Sequence, residues 1–137
     1  KRSNIETAGR LDLIIMCYEK AIQLLIQARD HIRKNEIADR ALKVEKALVI
    51  ISELQGCLDM KKGGRIARNL DSLYAYMIKR LLVCDIRKDF TVYDEVARIL
   101  SELLDAWQAI RSEETPNDDL YSKVDDSETY RHRQTAF

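Results

Sequence analysis

Helix breakers are almost missing from this chain, which has one proline and four glycines in 137 residues. An all-β fold needs turn residues at short intervals, so the sequence permits long uninterrupted helices and disfavours sheets. Hydrophobic spacing agrees. From about Thr7 to Lys34, Leu11, Ile14, Ile15, Tyr18, Ile22, Leu25 and Ile32 recur at helical intervals, with Thr7 placed as an N-cap. A second run, about Ile37 to Met60, carries Ala41, Val44, Leu48, Ile51 and Leu58. It leads into Lys61-Lys62-Gly63-Gly64, where basic residues suit a helix C-terminus and glycine suits the left-handed cap, so a stop is predicted there.

A third helix is predicted over about Arg65–Asp85, through Ile66, Leu70, Leu73, Tyr74, Met77, Leu81 and Cys84. The fourth, capped by Asp89 or Thr91 and reaching about Arg111, repeats Tyr93, Val96, Ala97, Leu100, Leu103, Leu104, Trp107 and Ile110 almost as a heptad. Helices of this length with short connections pack as antiparallel neighbours, which predicts an all-α, up-down four-helix bundle. The pattern stops at Ser112, and the polar run that follows has too little apolar surface to order itself. The predicted organisation is a bundle domain over 1–111 and a disordered or loosely ordered acidic tail over 112–137. Truncation after Arg111 is then expected to leave folding nearly unchanged.

Acidic and basic residues balance at 23 each, so no global charge favours nucleic acid or an anionic membrane. The tail carries a net charge of −4 and the body +4. Lys61, Lys62, Arg65 and Arg68 read as helix-end and exposed-face charges, without the aromatic interleaving of a nucleic-acid surface. Cys17, Cys57 and Cys84 have no ligand spacing and read as small apolar residues with reduced thiols. No stretch approaches the ~18 apolar residues of a membrane span, and no secretion leader is visible, so an intracellular, soluble protein is predicted. The first residue is Lys1 rather than Met, which predicts that residues precede it in the natural protein.

Catalytic machinery is not legible. Neither His31 nor His132 follows a glutamate by three, as a bundle metal site would need. Gly63-Gly64 lacks the phosphate-loop pattern, and no nucleophile with a base is spaced to assemble. The prediction is a non-enzyme without cofactor or metal.

The apolar arcs are wider than a bundle needs. The fourth helix covers about 160° and the second about 200°, against about 100° for one core-facing stripe. The excess comes from Ala47, Ile50, Leu54 and Cys57 in the second helix, Tyr76 and Val83 in the third, and Leu13, Cys17 and Leu24 in the first. Such width marks either well-covered flanks, a homodimer seam or a partner site. Asn69 and Tyr76 allow two readings, satisfaction within the bundle or hydrogen bonding to a guest. By its ordinary arc, the fourth helix reads as scaffold.

Several segments resemble one family. Thr7-Ala8-Gly9-Arg10-Leu11-Asp12-Leu13-Ile14-Ile15-Met16-Cys17-Tyr18 is similar to the T-A-x-P-x-x-L-hydrophobic-hydrophobic-M-L-Y opening of the flagellar export chaperones called FliS. Ile50-Ile51-Ser52-Glu53-Leu54, then Leu58-Asp59, resembles its I-I-x-E-L and L-D elements. The run from Gly63-Gly64-Arg65-Ile66-Ala67 through Asn69-Leu70, Leu73-Tyr74 and Tyr76-Met77 resembles its G-G-x-I-A-x-N-L-x-x-L-Y-x-Y-M, and Trp107 stands near the end of the last helix as the family's tryptophan does. Arg10 replaces the family's usual proline, and Cys84-Asp85 replaces a small residue and Asn.

The resemblance implies a cytoplasmic bundle that binds the C-terminal segment of flagellin, prevents its premature polymerisation and delivers it to the gate of the flagellar type III export apparatus. Together with the wide arcs it nominates Ile50, Glu53, Leu54, Cys57, Asn69, Leu73, Tyr76 and Val83 as partner-binding residues. Ile50→Asp, Leu54→Asp or Tyr76→Ala is then expected to weaken guest binding while the chain stays helical. The alternatives are an adaptor for a different amphipathic partner and a homodimeric bundle.

Overall fold

The computed structural model describes residues 2–113 and 119–121, and among them every regular element is helical. Four helices follow one another: α1 Arg2–Arg33, α2 Ile37–Gly56, α3 Met60–Arg87 and α4 Thr91–Arg111. A 3-10 turn, Asp119–Tyr121, closes the order. The predicted four-helix bundle is what forms.

Local chemistry sets the helix ends. Asn35 takes a left-handed conformation (φ 57°) and donates to Ile32, and Glu36 donates back to His31, so α1 is closed before α2 starts. Lys88 (φ 56°) ends α3 in the same way. Asp89 accepts from both the backbone and the hydroxyl of Thr91, but the N-cap position of α4 falls on Phe90, whose side chain makes no cap bond, so neither predicted residue is the cap.

Two predicted boundaries are wrong. Thr7 is not a cap, because α1 is already helical from Arg2 and runs through Arg10. The turn after α2 comes earlier than the Gly-Gly pair: α2 ends at Gly56, and Asp59 caps α3 by accepting from the Lys62 backbone N–H at 3.0 Å. Gly64 (φ 56°, ψ −132°) then kinks α3 within its second turn, in a conformation open only to glycine.

Helix α1 is the spine, packed extensively on both α2 and α4. Its surplus width is consumed by those two neighbours, since Leu13, Cys17 and Leu24 are all buried. At the far end Arg40 of α2 is buried. It donates to the Tyr93 hydroxyl at 3.0 Å, pairs with Asp85 and lies 5.0 Å over the Phe90 ring.

The other end holds a chain of phenols. The Tyr18 and Tyr74 hydroxyls are bonded at 2.5 Å and those of Tyr74 and Tyr121 at 2.6 Å. The Trp107 ring stands 6.4 Å from that of Tyr18 and 5.5 Å from that of Tyr121. Tyr121 and Leu120 are buried, and the Leu120 carbonyl accepts the Asp59 N–H at 2.8 Å. Part of the polar tail is therefore core, against the expectation that it adds nothing to the fold. Its other residues lie outside those described, apart from Ser112 and Glu113.

Burial pushes the Tyr18 and Tyr93 phenols up to about 12, and pushes Tyr74 and Tyr121 well above the ordinary phenol range. Their unfolded counterparts titrate near 10, so the folded state holds these protons more tightly. That stabilisation is complete below about pH 10 and is lost as pH rises from there through about 12. Tyrosinate absorbance from the buried rings should accordingly appear together with loss of helical circular dichroism. Smooth titration of all six tyrosines with the helices intact would contradict the buried chain.

Candidate partner-binding groove

Helix α3 is held less closely by α4 than by α2, and hardly at all by α1. Two polar contacts show which flank of α3 faces α4. The Tyr76 hydroxyl donates to Glu95 Oε2 at 2.6 Å, and Arg80 Nε donates to Glu95 Oε1 at 2.9 Å. The Tyr76 hydroxyl, with Arg80 second, holds the Glu95 carboxyl below its ordinary range.

Helical spacing extends that flank in both directions. On α3 it runs through Ile66, Asn69, Leu73, Tyr76 and Val83; on α4, from Glu95 through Ile99, Leu103, Ala106 and Ile110. Leu73, Ile99, Leu103 and Ile110 are half-buried against the core, while Ile66 and Tyr76 are 54% and 44% exposed. The result is a shallow apolar groove with an amide, a phenol ring and a paired carboxylate on its rim. Among the described residues Asn69 is exposed and makes no hydrogen bond of its own. The Tyr76 hydroxyl, by contrast, is engaged inside the bundle, and only its ring is open.

The nominated residues divide between two places. Asn69, Leu73, Tyr76 and Val83 share the α4-facing flank of α3. The α2 residues do not join them. Ile50 and Leu54 are 0% and 3% exposed, part of the core rather than of an open face, and Glu53 and Cys57 are half-buried beside them. Sequence reading missed the α4 wall, because Ile99 was not singled out and Leu103 and Ile110 belonged to a stripe of ordinary width. It also counted Ile66 as core, whereas the Gly64 kink leaves that side chain open. Leu82 and Ile86, 60% and 82% exposed, lie on the flank of α3 nearer α2 and were not singled out either.

The comparisons with known proteins bear on this groove. The family described as flagellar protein FliS matches residues 1–114. The chain belongs to the FliS family. Relatives at 33–37% identity carry one description. The flagellar secretion chaperone FliS of Salmonella typhimurium is 37% identical over 109 residues, covering 79% of this chain and 81% of the relative. The FliSB chaperone of Pseudomonas aeruginosa is 36% identical over 108 residues, covering 79% and 86%. That of Vibrio cholerae is 33% identical over 111 residues, covering 81% and 82%.

FliS proteins are chaperones of flagellar secretion and not enzymes. No described helix is long and apolar enough to cross a membrane. The family match ends at residue 114, and the docked turn at 119–121 lies beyond it.

Proposed function

We propose that this FliS-family chain holds the C-terminal segment of flagellin along the α3–α4 groove in the cytoplasm, keeps it from polymerising and hands it to the gate of the flagellar type III export apparatus. The observation that carries the reading is the half-covered apolar flank formed by Leu73, Ile99 and Leu103 between two loosely joined helices. An amphipathic segment with apolar residues at i, i+3, i+4 and i+7 completes such a flank as an extra helix would. Asn69 offers an uncommitted amide at the rim, and Tyr76 offers the face of its ring. Val83 extends the strip toward the far end, while Glu53 and Cys57 form a second, half-open strip on α2 supported from beneath by Ile50 and Leu54.

Holding requires no chemistry. A bound segment is withheld from polymerisation by occupancy, and the ordering entropy it loses is offset by a long interface. Calorimetry with the flagellin C-terminal segment tests the reading: one-to-one binding with a negative heat-capacity change supports it, and absence of binding removes it. Leu73→Asp places a charge in the groove floor without opening the core. It should weaken binding by about 30- to 100-fold, the scale of a central interface residue, with the far-ultraviolet spectrum unchanged. Unaltered affinity in that variant would move the guest off this groove.

A further inference from the structure

At the end of the groove lies a slot that the chain fills with its own tail. The slot lies at the end of α3 and α4 marked by Gly63 and Trp107, on their core-facing sides, with Ala67 and Tyr74 lining it. There Leu120 and Tyr121 enter between the helices. A Cβ on Gly63 would come within 3.1 Å of the Leu120 side chain and 2.6 Å of Ala67, so the missing side chain is what admits the leucine. The Tyr121 ring lies on Trp107, and its hydroxyl meets that of Tyr74. We propose that this slot is a binding subsite for an adjacent pair of bulky apolar side chains on the guest, and that Leu120–Tyr121 is a stand-in that vacates it when the guest arrives.

Three observations carry this. The first is the chemistry of the occupant: two buried apolar side chains on one short turn, anchored by a single backbone hydrogen bond from Asp59. Such a turn is held in part because it belongs to the same chain, and a short tether supplies an effective concentration on the order of millimolar. A guest that places a similar pair in the slot and also lies along the groove binds through both and displaces it. The second is shared walls, since Tyr121 meets Tyr74 of α3 and Trp107 of α4, the two helices that also line the groove. The third is that the turn lies beyond residues 1–114, the part of the chain that the family match covers. The proposal rests on the guest-holding reading above.

The test uses the full-length chain, isotope-labelled and titrated with unlabelled flagellin C-terminal segment. At saturation the Leu120 and Tyr121 amide signals should become sharp and move to random-coil positions. The Asp59 amide should shift, the emission of Trp107, the single tryptophan, should change, and the helix signals should stay dispersed. In a second arm, Tyr121→Ala in the full chain should bind the segment about tenfold more tightly, because no stand-in has to leave. Saturation with Leu120 and Tyr121 unmoved overturns the subsite and leaves the guest-holding function standing. So does a folded Tyr121→Ala chain that binds no more tightly than its parent. If that variant fails to fold, the titration of the unaltered chain decides alone. Calorimetric absence of any binding removes the function and the subsite together.

Discussion

Aspartate at position 50 is expected to leave the chain mostly unfolded at 25 °C rather than folded and unable to bind. Ile50 is fully buried on α2, in the same cluster as Ala47, Ile51 and Leu54. Its replacement removes a buried aliphatic side chain, which costs about 2–5 kcal/mol for comparable deletions. It also brings a carboxylate into a place with no cation to meet it, which adds several kcal/mol more or forces the group to protonate. The sum is comparable to the whole ~5–15 kcal/mol that holds a domain of this kind together. Urea denaturation followed by circular dichroism measures it. A midpoint near that of the parent would mean that Ile50 is not core, and would restore the sequence-based expectation of a folded, non-binding variant. Leu73→Asp is the paired control, since half-burial lets its carboxylate turn toward water.

Removing everything after Arg111 is expected to destabilise the chain by about 2–3 kcal/mol, where the polar composition of the tail predicts almost nothing. Full burial of a large apolar side chain is worth about 1.5–3 kcal/mol, and the tail contributes two. Truncation also removes the Leu120 carbonyl from the Asp59 N–H and leaves the Tyr74 hydroxyl with Tyr18 alone, although water then reaches both. Part of this is offset because the truncated chain no longer loses the conformational entropy of ordering the turn. In melting temperature the loss is about 6–12 °C for a chain of this size. A thermal scan showing the truncated and full-length chains within a degree or two of each other would mean that the turn contributes nothing. The cost is compatible with the proposed displacement, because a guest in the slot would put its own side chains where Leu120 and Tyr121 were.

The helix count, the up-down order and most of the core were legible because they rest on a period repeated over twenty residues or more. Leu11, Tyr18, Leu25, Val44, Ile51, Leu70, Tyr74, Met77 and Leu100 all lie where that period puts them. Boundaries were less legible wherever two signals competed. The Gly-Gly pair is a strong stop, but Asp59 is a stronger start, and the helix accommodates the glycines as a kink. The open apolar flank was legible on α3 and misplaced on α2. Arc width counts apolar positions on one helix and does not say how many neighbours that helix has: α2 spends its excess against α1, while α3 has a loose contact with α4 and keeps some. The tail could not be read at all. Two apolar side chains in a polar run have no period, and their burial depends on Gly63, Tyr74 and Trp107, which are distant in sequence.

The shared use of α1 as a spine has a consequence for how the chain is made. The α1–α2 hairpin needs only the first 56 residues and can close while the rest is still being synthesised. The other half of the spine stays uncovered until α4 has been completed at Arg111, because α4 alone packs along it. Helix α3 leans on both and settles only when both are present. Folding is thus local at the start and long-range at the close, with the slow step set by the return of the last helix to the first. Until that step is over, the nascent chain itself exposes a half-covered apolar helix, the kind of surface that chaperones shield on other chains.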